Sequence, residues 1–492
     1  MMYEHFEGAA GSVGAGRTGR APGSPDFGHI GILNDYVRVP YAAGSTFAAQ
    51  LLHDQFRQRG HEVTLIGPRD PSSSPEDLPE RTVLFPGIPI RCQPGFFLPL
   101  PSRRGLRALA EERFDVLVGQ TGSSLMDAGI WLRQTQRVPL LCVNTTLLSA
   151  VYDAMLPDRL SASPRFQRVC RETLVPIGEQ ASVTAYNQSD GLVVLSRGLE
   201  RYWRNLGVEV PIHVIPRSIN PRVVSAPVGP DPFDPRARRG SRLIVLCRHV
   251  REKGLARLLD IFAQHVAPRV PEATLTLVGD GADQDAFKAR AERLGIAERC
   301  FWPGEFAITD VRTWYAYGDV FVYASMSETY GQVVSEAMYC GLPVVAFDDA
   351  AGVEQQIDHE KDGLLLAPGP DAAAADHRFG AEVVRLLEEP GRRRHFAERA
   401  RSSARERVDP DRVIARYYAA FETARRHRET TVVPDTAVGR FAPIARWAAM
   451  HSLVGAMGNL RPASVLNRHG RKQPAWNRSP TEPALADGSR AA

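Results

Sequence analysis

The stretch Glu328-Thr329-Tyr330-Gly331-Gln332-Val333-Val334-Ser335-Glu336, continued by Ala337-Met338-Tyr339-Cys340-Gly341-Leu342-Pro343, decides how this chain is read. Just upstream, Phe321–Ala324 is a short apolar run bounded by the polar residues Ser325, Ser327 and Glu328, the pattern of a buried strand. From Gly331 the spacing predicts a helix to about Cys340. Gly341 stands where a helix ends in a left-handed residue, and Pro343 blocks continuation. Val344–Phe347 then reads as the next buried strand.

In such a strand–loop–helix unit the first N–H groups, near Gly331 and Gln332, have no intrahelical partner and favour an anion. Glu336 lies roughly 7–8 Å further along the axis at about 1.5 Å per residue. That reach suits the span from a diphosphate to a ribose, where a carboxylate accepts both vicinal hydroxyls. Glu328, on the loop before the helix, would face a sugar on the other side of the phosphates. A surface helix with two solvated glutamates is the competing reading.

A second segment supports the first. Arg242–Leu246 is an apolar strand pattern leading into Cys247-Arg248-His249-Val250-Arg251-Glu252-Lys253-Gly254, after which a helix pattern opens. Arg248 and Lys253 thus sit at the carboxyl end of a strand, where open α/β sheets bind ligands. Guanidinium grips a diphosphate in bidentate fashion and ammonium supplies a point charge. Arg251 and Glu252 lie between them, so a solvated charge run is the plainer alternative.

The Arg-x4-Lys-Gly element, followed about 75–80 residues later by Glu-x7-Glu, resembles glycosyltransferase family 4, the retaining enzymes of GT-B fold. Leu275-Thr-Leu-Val-Gly279-Asp280-Gly281, Asp190-Gly-Leu-Val-Val-Leu-Ser196 and Val214-Ile215-Pro216 fit the same pattern, and the likeness runs over roughly residues 28–425. The resemblance implies that Arg248 and Lys253 bind the donor diphosphate, Glu336 the ribose and Glu328 the transferred sugar. The first two and Glu328 would carry catalysis. The backbone at Tyr330, Gly331 and Gln332 would also hold the donor. So would Gly44, from a glycine-bearing loop across the cleft in which Ser45 or Thr46 caps the next helix. No cofactor and no metal are expected, only a nucleoside-diphosphate sugar and a hydroxyl acceptor. Three departures stand out: Asn144-Thr145 for the usual His-Thr, with Asn144 as a possible sugar contact; Arg217-Ser218 for Asn-Gly; and Cys247 before the donor arginine.

Bulk properties narrow the alternatives. Lys and Arg total 60 against 56 Asp and Glu, a net charge of +4 without clustering, which argues against a nucleic-acid partner. Cys92, Cys142, Cys170, Cys247, Cys300 and Cys340 form no C-x-x-C pair and read as small core residues of a reducing cytosol. No leader-like apolar segment and no spanning run is evident, so the expected place is the cytoplasm, with the inner membrane face as an option. The sites at Asn144, Asn187 and Asn477 are accordingly not expected to carry glycans.

The fold expectation is α/β: a GT-B pair of doubly wound Rossmann-like domains facing a central cleft, with flexible terminal tails. Residues 1–27 are Gly/Ser/Pro-rich and expected to be disordered. They include Gly14-Ala-Gly16-Arg-Thr-Gly19, whose context lacks the strand and helix a dinucleotide loop needs. Residues 28–216 form the acceptor-side domain, with strands expected at His29–Leu33, Glu62–Ile66, Phe114–Val118, Val138–Val143 and Leu192–Leu195, and a helix from Phe47 to Arg59. Residues 217–241 form a linker, 242–410 the nucleotide-sugar domain, and a helix at 411–428 returns to the first domain. Residues 429–492 are an extension in which 438–460 is an interfacial or a packing helix, followed by a disordered tail. Asp283-Gln-Asp285 and Asp409-Pro-Asp411 precede helix patterns and are expected to cap them rather than bind metal. Gly95–Arg107 couples an apolar loop to a basic helix start, a candidate for peripheral membrane or lipid-acceptor contact. The activity expected is transfer of a sugar to a hydroxyl. A sugar-nucleotide epimerase, a phosphorylase or a non-catalytic binding scaffold are the alternatives.

Overall fold

The structure, a computed structural model, describes residues 27–35, 44–71, 73, 78–90, 97–120, 125–145, 147, 163–281, 283–306, 308–326, 328–431 and 437–460. Residues 1–26 and 461–492 of the segments expected to be disordered, the Gly14–Gly19 motif and most of the loop before Gly44 lie outside these residues, whereas Phe27 is buried against Phe421.

Among the described residues nine strands belong to the first half: β1 (His29–Leu33), β2 (Glu62–Pro68), β3 (Thr82–Phe85), β4 (Gly87–Pro89), β5 (Phe97–Pro99), β6 (Val116–Gly119), β7 (Leu140–Val143), β8 (Gly191–Val194) and β9 (Ile212–Val214). Seven form a parallel sheet in the order β3-β2-β1-β6-β7-β8-β9, while β4 and β5 make a small antiparallel ribbon. The second half contributes β10 (Arg242–Leu246), β11 (Thr274–Val278), β12 (Cys300–Gly304), β13 (Val320–Tyr323), β14 (Val344–Phe347) and β15 (Leu364–Leu366), ordered β12-β11-β10-β13-β14-β15, again parallel. Strands such as β1, β6, β7, β8, β13 and β14 are buried throughout, which is why they read as unbroken apolar runs rather than alternating ones. Each sheet reverses strand order once, at β1/β6 and at β10/β13, and such a reversal opens a crevice at the carboxyl ends of the strands.

The core follows the two sheets. Leu243, Ile244, Leu275, Phe321, Val322, Val334, Met338 and Phe379 centre the second lobe. The first sheet is covered on one face by Leu33, Leu117, Ile130, Leu192 and Trp203, and on the other by Ile30, Ile32, Phe56 and Phe421. Phe421 arrives from the helix Pro410–Thr430, which returns to the first lobe and brings Val413, Ile414 and Tyr417 onto the same face. It is pinned there by His61 Nε2 at 2.7 Å from the Tyr418 hydroxyl and His427 Nδ1 at 3.2 Å from Asp190 Oδ1. The described cysteines behave as small apolar residues: Cys142, Cys170 and Cys300 are buried, Cys247 and Cys340 half-buried, while Cys92 lies outside the described residues.

Several local expectations change. The helix expected from Phe47 starts at Gly44, which places Ser45 and Thr46 within its first turn. First-turn N–H groups lack helical partners in any case, so polar residues are tolerated there. Gly95 and Phe96 lie outside the described residues, but the apolar stretch that follows them is covered. Leu98 is 2% exposed within β5, and the Pro99 carbonyl accepts Trp447 Nε1 at 2.8 Å. Trp447 belongs to the helix Ala437–Leu460, which packs on the first lobe, with Arg446 Nε donating to buried Asp127 at 2.8 Å. Phe441, Met450 and Leu453 remain on its outer face. Among the described residues no helix is long and apolar enough to cross a membrane. The 217–241 segment does not run free: Phe233 and Ala237 are buried in the second lobe's core, and Arg242 bonds Asp231 at 2.9 Å.

Candidate active site

Two strand ends at the reversal point of the second sheet build the site. β10 ends at Leu246, and the chain passes through Cys247, Arg248 and a single 3₁₀ turn, Arg251–Lys253, before the helix Leu255–Ile261. Gly254 joins turn to helix at φ 68°, and a Cβ there would meet the Ala324 carbonyl at 2.2 Å. Only glycine lets this loop press against the end of β13. The neighbouring loop carries Ser325 and Glu328 into the helix Gln332–Cys340, whose N-cap Gly331 has φ 74° and whose C-cap Gly341 has φ 79°.

The result is a direct meeting of residues that lie 75 positions apart. Lys253 Nζ donates to Glu328 Oε1 at 2.5 Å, and the same oxygen accepts from Ser325 at 2.6 Å and from the Tyr323 hydroxyl at 2.8 Å. Burial by itself would raise the Glu328 pKa, but Lys253 and the two hydroxyls outweigh it and hold the carboxyl below its ordinary value. Glu328 is therefore an anion fixed by three donors on Oε1, and among the described residues Oε2 takes no hydrogen bond.

Arg248 stands beside this pair with its side chain 72% exposed, its guanidinium 3.5 Å from Glu252. Cys247 feels Lys253, Glu328 and Arg248 together, which places all three around one strand end, and burial pushes its thiol up to about 12. Cys247 is thus an inert neighbour rather than a nucleophile.

Glu336 lies one turn into the helix, 9% exposed. The Tyr315 hydroxyl donates to its Oε2 at 3.3 Å. Burial pushes this carboxyl up to about 7, and the Tyr315 bond offsets only part of that. The two glutamates therefore differ in charge state for one physical reason: among the described residues Glu328 has a cation partner and Glu336 has none.

Tyr330 is buried, so its side chain is not open to a ligand. Its carbonyl is taken by Gln356 Nε2, which also reaches Gly331 O at 3.2 Å and Gly352 O at 3.1 Å. Asp349 accepts N–H groups from Ala351 and Val353, each at 3.0 Å, and from Glu328 at 3.2 Å, tying this turn to the site loop; burial pushes it up to about 6.

The first lobe closes over the second at several points. The Thr329 hydroxyl donates to the Thr145 carbonyl at 3.2 Å, and Gln332 Nε2 lies 3.5 Å from the Ser218 carbonyl. Tyr330 packs into the first lobe's apolar cluster. Arg201 bonds Glu354 at 2.9 Å, and a Cβ on Gly198 would lie 2.0 Å from the Ala350 carbonyl. Asn144, next to Thr145, is buried and donates Nδ2 to the Tyr186 hydroxyl at 3.2 Å. Gly44 opens its helix beyond β1.

Arg248, Lys253, Glu328, Gly331, Gln332 and Glu336 thus share the carboxyl-end edge of one sheet, with Lys253 and Glu328 in contact. Of the aspartates set aside as caps, Asp409 bonds Arg412 N at 2.9 Å as a cap does. Asp283 occupies the cap position but turns its carboxylate to Arg251 N at 3.0 Å, steadying the loop between the two cations. Sequence reasoning missed Tyr315, Tyr323, Gln356 and Asp349. Tyr323 and Ser325 had a signal: alternate positions along a strand point to one face. Tyr315 had none, since it reaches Glu336 from another helix.

Residues 44–223 match the family Glycosyltransferase Family 4, and residues 235–403 match Glycosyl transferases group 1. The chain is a GT-B glycosyltransferase of the family 4 type. This glycosyltransferase is 28% identical over 411 residues to the GDP-mannose-dependent alpha-mannosyltransferase of Mycobacterium tuberculosis (strain CDC 1551 / Oshkosh), a match covering 80% of this chain and 96% of that protein. It is 34% identical over 154 residues to the sulfoquinovosyl transferase SQD2 of Arabidopsis thaliana, but that match spans only 29% of each chain. In fold it resembles Anabaena Alr3699/HepE, solved in complex with UDP and glucose, at a TM-score of 0.60 and 18% identity over 80% of this chain and 99% of that one. The sucrose-phosphate synthase of Thermosynechococcus elongatus gives a TM-score of 0.60 at 19% identity, covering 80% and 98%.

Proposed function

We propose that this glycosyltransferase moves a sugar from a nucleoside-diphosphate sugar to a hydroxyl acceptor with retention of anomeric configuration. The observation that carries the proposal is the Lys253–Glu328 contact at 2.5 Å, which joins a cation and an ionised carboxylate at the mouth of the sheet reversal. Arg248, Lys253 and the N–H groups at Gly331 and Gln332 form the positive side, suited to a diphosphate. A relative named for GDP-mannose, and a fold neighbour holding UDP, support a nucleotide donor.

In this reading the bond between the anomeric carbon and the phosphate oxygen breaks while the acceptor oxygen bonds to the same face of that carbon. The acceptor proton passes to the departing phosphate oxygen, so no protein nucleophile is needed. Negative charge grows on the leaving diphosphate, and preorganised donors there are worth most because they need no rearrangement. Glu328 offers Oε2 to sugar hydroxyls while Lys253, Ser325 and Tyr323 fix Oε1. Glu336 accepts the ribose hydroxyls and is held in place by Tyr315. Asn144 lies beside the strand end that meets Thr329 and is a candidate sugar contact.

A thermal-shift panel of UDP-, GDP- and ADP-sugars tests the donor; a true donor at a hundredfold over Kd adds about 2.7 kcal/mol of stability. With an acceptor library, the anomeric proton coupling of the product tests retention. A protein stabilised by none of the nucleotide sugars, or a product of inverted configuration, overturns the corresponding half. Conversion of a donor into its epimer without acceptor would point to an epimerase instead.

A further inference from the structure

The segment joining the lobes carries a cation that the mechanism above leaves unused. Ile215 is buried and donates its N–H to Val194 O at 2.9 Å, completing β9's edge of the first sheet. Two residues past Arg217, Ile219 N–H reaches Val408 O at 3.3 Å, and the Ser218 hydroxyl reaches the same carbonyl at 3.3 Å. The Ser218 carbonyl in turn lies 3.5 Å from Gln332 Nε2, at the first residue of the Gln332–Cys340 helix. Arg217 is held between these tethers, at the junction of the first sheet and the N-terminus of that helix.

The groups acting on the charge of Arg217 are Tyr417, Tyr330 and Glu328. Tyr417 comes from the returning helix, and its hydroxyl lies 3.4 Å from Gln120 Nε2, just beyond the carboxyl end of β6. Tyr330 precedes the helix N-cap, and Glu328 is the anion of the site. Arg217 is half-buried, yet among the described residues it makes no hydrogen bond and no ion pair. Glu328 acts on its charge without pairing with it: among the described residues the ion pair of that carboxylate is with Lys253. Burial lowers the pKa of Arg217, the direction expected of a cation that has lost water and gained nothing in exchange. Guanidinium is the side chain best shaped to receive a phosphate in bidentate fashion.

We propose that Arg217 is a third cation of the donor site, reaching from the hinge to the sugar-side phosphate of the nucleoside diphosphate. The inference rests on the nucleotide-sugar reading above. It assigns the sugar-side phosphate because Glu328, the carboxylate proposed to face the sugar, is among the groups around the guanidinium. It also couples donor binding to lobe position, since Arg217 sits on the chain that links the lobes.

The test compares wild type with R217Q, R217K and K253A by calorimetric titration of nucleoside diphosphate and nucleoside monophosphate, using whichever of uridine or guanosine binds wild type. R217Q is expected to weaken diphosphate affinity at least tenfold and monophosphate affinity less than twofold. R217K, which keeps charge and loses the fork, is expected to fall between. Equal weakening of both nucleotides would reveal a purely structural role and overturn the proposal, as would unchanged diphosphate affinity in either Arg217 variant. If R217Q does not fold, R217K decides by the same ratio. Diphosphate binding that is lost in K253A but retained in R217Q refutes this inference alone; a wild type that binds no nucleoside diphosphate refutes the donor reading and this inference with it.

Discussion

Glu336 makes the strongest quantitative prediction. The residue is 9% exposed; among the described residues its carboxyl takes one side-chain hydrogen bond, from Tyr315 at 3.3 Å, and it is pushed up to about 7. A ribose diol donates hydrogen bonds to a carboxylate and gains little from a carboxylic acid, so donor binding must drive the proton off. With a pKa of about 7, roughly a tenth of the sites are ionised at pH 6 and nine-tenths at pH 8. Affinity for a nucleotide sugar should therefore rise about tenfold from pH 6 to pH 8, with proton release on binding below pH 7. The donor's diphosphate is esterified at both ends and keeps its charge throughout this window, so the slope belongs to the protein. Asp349, pushed up to about 6, titrates nearby, but its contribution would survive in Glu336→Gln. Calorimetry at pH 6, 7 and 8 in buffers of different ionisation enthalpy measures both affinity and proton release. Wild type should show the full slope, and Glu336→Gln should bind weakly and lose the tenfold step centred near pH 7, keeping at most the shallow part due to Asp349. A pH-flat wild type, or a variant that keeps the full slope, would refute the assignment of the ribose to Glu336.

The same shift sets a sign for stability. The folded state holds the Glu336 proton more tightly than the unfolded chain, whose carboxyl titrates near 4.5, so stability is lost as pH rises between about 4.5 and about 7. The full difference is on the order of 3 kcal/mol. Glu336→Gln should accordingly raise Tm at pH 8 and leave it nearly unchanged at pH 4.5; a variant less stable at both would contradict this account.

Three further outcomes follow from particular contacts. Lys253→Ala strips a buried carboxylate of its cation and should cost about 3–5 kcal/mol of stability and ~10²–10³ in turnover; unchanged Tm and turnover would show that the pair is not used as described. Gly198→Ala places a Cβ where the Ala350 carbonyl lies 2.0 Å away, so the lobes must separate; small-angle scattering should record a larger radius of gyration and titration a several-fold weaker donor, and an unchanged scattering curve would show that the contact is slack. Trp447→Ala removes a fully buried ring and the donor to Pro99 O, and should cost about 3–5 kcal/mol in denaturant unfolding while leaving donor affinity intact.

The chain's local patterns determined much by themselves. Unbroken apolar runs between helix patterns gave β1, β8, β10, β13 and β14 nearly to the residue, because strands buried on both faces leave no other composition open. Gly341 ended its helix where expected, and the charged positions Arg248, Lys253, Glu328 and Glu336 were legible because a strand end and a helix start restrict what stands there. The short strands β3, β9 and β15 and the β4/β5 ribbon were not legible, since they are only partly buried and do not combine full burial with an unbroken apolar run as β8, β13 and β14 do. Tertiary structure alone decided which glutamate is ionised. Glu328 and Glu336 look alike in sequence, but chain topology gives one a lysine from another strand end and gives the other only a tyrosine from a neighbouring helix. It likewise decided that the apolar stretch after Gly95 is covered, because Trp447 comes from some 350 residues downstream to bury it. Charge state and burial depend on what distant segments bring near, and that information is not local to any stretch of chain.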